Sequence, residues 1–373
     1  MSAIALGAHP EEERVLVSVF LRGGADGLAL VPPVGDDGYH RARPRLGVPA
    51  GQALRLDGVF GLAPELAELH PWFASGQLSV VHAVGSDDES RSHFVAQEMM
   101  ERGGSAAAGG WLGRWLRGRG APGALTAVAT GTEVPDSLRG APAATALGSL
   151  VDLAPDGDWR ALCESVGGLY ARDGQLGGPA RDALRAAERL AALRGEGVRP
   201  ENGAKYPGPG EGELAHRFGQ ELAQLAGLIR ARVGLVGACV DLAGWDSHFA
   251  QETITRARMR ALARGLSAFA TDLGPLLCRT SVAVMSEFGR RVAENASLGT
   301  DHGRGGVMLV LGGGTAGGMH CRWPGLEEKQ LDGPGDLAVV HDYRDVLAAV
   351  LRRQGPVDPA IVFPDHSLAR MPV

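Results

Sequence analysis

Short apolar runs, each closed by a glycine, a charged residue or a hydroxyl, recur along the chain. They are RVLVSVFL (Arg14–Leu21), QLSVVHAV (Gln77–Val84), Leu125–Thr130, VGLVGACVDL (Val233–Leu242), TSVAVMS (Thr280–Ser286) and GVMLVLG (Gly306–Gly312). Continuous apolar runs of this length suit strands covered on both faces, which predicts buried parallel strands. Between them the period changes. Glu213–Arg232 and Gln251–Leu273 repeat apolar residues three and four positions apart, and Pro179–Leu193 and His341–Gln354 also read as helices. Alternating strands and helices predict an α/β fold, a mostly parallel central sheet sandwiched between helices. Residues 145–210 are poor in strand signal. They read as a helical insertion within one domain over 1–373, with Gly195–Gly212 an exposed connection.

Composition narrows the partners. The 373 residues are 45% hydrophobic and carry a net charge of -6, so no basic surface invites nucleic acid. The first residues, MSAIALGAHPEEER, are acidic where a secretory leader is basic, and no apolar run reaches the roughly 18 residues of a membrane span. A cytoplasmic location is expected, with export only if a leader has been removed. The four cysteines form no CxxC pair, which argues against a zinc ribbon. GRGAPG (Gly118–Gly123) fits GxGxxG formally, but it contains proline and follows a helical stretch, so it reads as a loop. His82, inside a strand, reads as a core histidine.

In parallel sheets, sites form where strands give way to loops. RGGADG after the first run carries Asp26. GSDDESRSHF after the second carries Ser90, Arg91, Ser92 and His93. AGWDSH carries Asp246 and His248, and EFGRR carries Glu287, Arg290 and Arg291. TDHGRG, just before the last run, carries Asp301, His302 and Arg304. Asp, Glu and His are ligands for divalent metals such as zinc and manganese. Arginine matches the oxygens of phosphate or sulfate. A serine at a helix start meets a dipole that favours anions. Together these residues predict a metal-assisted site for a small anionic substrate. Each also has a plainer reading: Asp26 as a turn residue, Ser92 as a helix cap.

The series FLRGGADGL, SRSHF, GWDSH, SEFGRR and TDHG resembles the bacterial family catalogued as domain of unknown function 1501, over nearly the whole chain. That family is similar in turn to the superfamily of alkaline phosphatases, sulfatases and cofactor-independent phosphoglycerate mutases. The resemblance implies an alkaline phosphatase-like fold with one or two metal ions. It implies Asp26, Asp246, His248, Glu287 and His302 as metal ligands and Ser92 or Ser90 as nucleophile. Arg91, His93, Arg290, Asp301 and Arg304 would hold substrate. Phe288 stands where that superfamily has a second-metal histidine, so a second ion would be a harder one such as magnesium or calcium. In another register, Asp301 and His302 form the Asp–His pair and His320 is the late histidine. The implied activity is hydrolysis or transfer at a phosphate or sulfate ester. The alternative is a non-catalytic protein that binds an anion or metal on the same scaffold.

Overall fold

The computed structural model describes residues 14–104, 108–120, 123–148 and 199–373, with 161, 165, 168–170, 177, 181 and 184. The expected insertion over 145–210, with its helix Pro179–Leu193, lies largely outside the described residues.

All six apolar runs contribute strands to one nine-stranded sheet. In chain order the strands are β1 Val15–Arg22, β2 Leu78–Gly85, β3 Ala127–Thr130, β4 Thr145–Leu147, β5 Gly237–Ala243, β6 Thr280–Met285, β7 Gly306–Gly312, β8 Gly318–His320 and β9 His341–Asp342. Across the sheet the order is β8-β2-β7-β6-β1-β5-β3-β4, with β9 paired to the end of β2. β1 runs parallel to both β5 and β6.

The sheet is mostly parallel, but β7, expected as one of the parallel strands, is antiparallel to β2 and to β6. A parallel return needs a crossover, usually a helix. Residues 286–305 contain no helix and turn back at the same edge, with Arg291 N–H donating to the Asp301 carbonyl at 2.9 Å. Buried on both faces, the run carried no sign of its direction. The start of β7 therefore meets the ends of β1, β5 and β6.

Alternation along β1 divides the core. Val15, Val17, Val19 and Leu21 face one side, where Phe218, Leu222 and Leu225 of α4 (Glu213–Arg230) and Leu262, Leu266 and Phe269 of α5 (Gln251–Leu273) cover them. Leu16 and Phe20 face the other. There Trp111 and Trp115 of α3 (Trp111–Arg119) meet Leu347 and Leu351 of α6 (Tyr343–Gln354). Each such buried leucine or phenylalanine contributes roughly 1.5–3 kcal/mol, so both helical layers are needed. His341, expected to open a helix, pairs in β9; the following Asp342 caps α6 by accepting from Arg344 N–H. No helix among the described residues is long and apolar enough to cross a membrane.

Candidate metal centre

The site begins at two glycines after β1. A Cβ on Gly23 would come within 2.6 Å of the Asp246 nitrogen, and one on Gly24 within 2.4 Å of the Phe288 ring. Both have positive φ, +120° and +65°, which favours glycine. The loops after β5 and β6 can thus press onto the end of β1. Trp245, fully buried, anchors the first of these loops in the core.

Asp246, His248 and His302 meet on that edge with His93, the first residue of α2 (His93–Arg102). Ligand atoms of His93, Asp246 and His302 all lie within 4.8 Å of one another. His302 Nε2 is 3.5 Å from Asp246 Oδ1, and His93 Nε2 is 3.7 Å from Oδ2. His248 Nε2 is 3.2 Å from Asp246 Oδ1 and 2.9 Å from His302 Nε2.

The other nitrogen of each ring faces an acceptor. His93 Nδ1 lies 2.9 Å from Glu287 Oε1, His302 Nδ1 2.8 Å from the Arg91 carbonyl, and His248 Nδ1 a longer 3.4 Å from Asp301 Oδ1. These acceptors require a proton on Nδ1, which leaves each Nε2 with its lone pair turned inward. His93 Nε2 is buried and has no hydrogen-bond partner. Two Nε2 lone pairs at 2.9 Å repel unless a proton or a cation lies between them.

The electrostatics disfavour a proton on His302 and keep the carboxylates charged. Burial lowers the His302 pKa, and the nearby Arg290, His93 and His248 push it the same way against the Arg91 bond. Burial would raise Asp246, but the hydrogen bond and charge of Arg290, with His248 and His93 beside it, hold it below the usual carboxylate range. Glu287 is held low despite burial, chiefly by donors from His93 and Gln97. Asp301 is held low as well; burial opposes this, and bonds from Asn295 and His248 prevail. The carboxylates stay charged and His302 stays neutral, the states in which these groups bind metal.

The structure brings His93 into the cluster and sets Glu287 behind it. Glu287 was expected among the ligands and His93 among the substrate contacts. Yet Glu287 Oε1 accepts from Gly23 N–H, Gln97 and His93, and Oε2 accepts from Ser286 Oγ, so both oxygens are committed behind the cluster. Asp26 does not join the cluster. At 1% exposure it accepts from both terminal nitrogens of Arg43 (2.5 and 3.1 Å), from Gln251 Nε2 (2.6 Å) and from Leu28 N–H, capping α1 (Gly27–Leu30). Gln251 in turn accepts from Thr300 Oγ1 and Ser247 Oγ, which ties this network to the loops that carry Asp246, His248 and His302.

The expected substrate arginines are also engaged. Arg290 is buried, donating to Asp246 and to the carbonyls of Gly23, Gly24 and Thr300. Arg91 pairs with Asp336, and Arg304 with Asp332. Ser90 is exposed and donates to Asp88. Ser92 stands at the cap of α2 but makes no side-chain capping bond. His320, of the alternative register, lies on β8 against Ser79 Oγ and the Gly317 carbonyl. Phe288 packs against the rings of His93 and His302, with centroids 4.9 Å away in each case.

Fold and cluster together define an α/β protein with a histidine-rich candidate metal centre at one sheet edge. The family described as "Protein of unknown function (DUF1501)" matches residues 71–355, and the chain belongs to that family. The span includes His93, Asp246, His248, Glu287 and His302, while Asp26 and Arg43 precede it. No curated protein matches the chain.

Proposed function

We propose that this protein is a metal-dependent hydrolase or transferase acting on a phosphate or sulfate ester, or a related anionic group, on an alkaline phosphatase-like scaffold. One observation carries the reading: imidazoles anchored outward through Nδ1 turn their Nε2 atoms onto Asp246, and His93 Nε2 is left buried without a partner. Tetrahedral zinc with arms of about 2.0–2.1 Å separates its ligands by about 3.3 Å. The Nε2–Asp246 distances of 3.2, 3.5 and 3.7 Å bracket that value. The imidazole-rich donor set favours zinc or manganese over magnesium or calcium, which prefer oxygen, and a single cluster among the described residues favours one ion.

A divalent cation bound there supplies a Lewis acid that polarises an ester oxygen and lowers the pKa of water. The chain does the rest. Glu287, Asp301 and the Arg91 carbonyl fix the imidazole tautomers. Ser92, directly before His93 and free of a capping bond, is better placed than Ser90 to attack or to orient water. Asp246 is exposed, so the centre is open to a substrate.

A second reading, a non-catalytic anion- or metal-binding protein on the same scaffold, draws support from the pairing of Arg91, Arg290 and Arg304 with carboxylates. Elemental analysis after zinc or manganese loading, followed by assays with an aryl phosphate and an aryl sulfate, separates the two. Turnover that follows metal content and is lost in Asp246→Ala and His302→Ala supports the enzyme. Anion or metal binding without turnover selects the second reading, and absence of both anion and metal binding rejects both.

A further inference from the structure

We infer that the metal centre serves substrates whose anionic group is attached to an apolar moiety, and that Phe94 and Phe249 receive that moiety. The inference rests on the metal-site reading above.

Seven large apolar side chains are exposed among the described residues, and three of them, Phe94, Phe249 and Leu298, lie close in the chain to residues of the centre. Phe94, 88% exposed, follows His93. Phe249, 65% exposed, follows His248. Consecutive Cα atoms are ~3.8 Å apart, so each phenylalanine starts one residue from an imidazole of the cluster. Leu298 belongs to the same rim: its carbonyl accepts from Gln251 N–H at 2.8 Å. The adjoining Gly299 lies so close to the His248–Phe249 backbone that a Cβ would come within 2.5 Å of the Phe249 nitrogen. Exposed aromatics that follow residues of a polar site in the chain are candidates for a binding surface.

Charge points the same way. A purely hydrophilic anion needs cationic groups beyond the metal, but Arg91, Arg290 and Arg304 each already have a carboxylate partner. Apolar surface is therefore available to add to recognition beyond the ion. This favours a small amphipathic ester over a sugar or nucleotide phosphate.

The test uses two non-hydrolysable probes, phenylphosphonate and methylphosphonate, titrated calorimetrically into the zinc-loaded full chain. Phenylphosphonate binds about tenfold tighter or more. The preference disappears in the double variant Phe94→Ser/Phe249→Ser, whose zinc content is unchanged. Both rings are exposed, so their loss leaves the core intact. Equal affinities, or a preference that survives the double variant, overturn the inference while the metal site stands. Failure to hold zinc overturns the underlying reading and this inference with it. Self-association that vanishes in the double variant, followed by sedimentation, assigns the rings to a second copy of the chain and also overturns it.

Discussion

Glu287 Oε1 lies 2.9 Å from His93 Nδ1, and the same oxygen accepts from the Gly23 amide and the Gln97 side chain. A carboxylate in this position fixes the ring and raises the basicity of its far nitrogen. Glu287→Gln keeps the shape and removes the charge. Zinc affinity falls about 10–100-fold, measured by competition with a chromophoric chelator, with an unchanged circular dichroism spectrum. Undiminished affinity would remove His93 from the ligand set.

Asp26 is expected to act on stability. Asp26→Ala leaves the buried Arg43 guanidinium without its counter-charge, at a cost of about 3–5 kcal/mol in urea unfolding. Metal per folded chain stays the same. Loss of metal at full stability would put Asp26 back into the centre.

The proposed metal site predicts that zinc stabilises the folded chain. At free zinc about a hundredfold above its dissociation constant, the folded state gains ~2.7 kcal/mol, seen as a raised melting temperature in scanning calorimetry. A chelator reverses the rise, and His302→Ala abolishes it. An equal rise in that variant means zinc binds elsewhere.

His82 makes stability sensitive to acid. Its Nε2 faces the Val31 carbonyl at 3.1 Å and its Nδ1 accepts from Ala83 N–H at 2.8 Å, so a second proton has no acceptor. Burial lowers its pKa from the ordinary 6.5 to about 4, despite the Val31 bond. Between those values the unfolded chain binds a proton that the folded chain refuses. The His82 contribution is thus present above pH 6.5 and is lost as pH falls to 4, on the order of 3 kcal/mol. Denaturant unfolding across this window shows the slope, and His82→Gln flattens it. A slope unchanged in that variant assigns the effect to other groups.

The sheet was legible in the sequence because long apolar runs have few other places to go. The helices were legible where the period was strong, as in α5. The reversal of β7 was not, because a run buried on both faces has the same pattern in either direction. In the site, Asp246, His248 and His302 drew attention as ligand types beside strands. Which of His93 and Glu287 turns inward could not be read. It depends on hydrogen bonds from Gly23 and Gln97, each far from Glu287 in the chain. Arg43 gave no signal at all, yet it occupies both oxygens of Asp26. Phe288 looked like a missing ligand, whereas its ring braces two histidines. The signal for His93 was faint: an imidazole opening a helix, with Gln97 one turn along to share its carboxylate.

The side chains that converge on Asp246 come from positions 93 to 302, more than half of the chain. A nascent polypeptide therefore has no such cluster to offer an ion until β7 is laid into the sheet. Cofactor capture would then come last in maturation, and a truncated or misassembled copy would stay metal-free and inert.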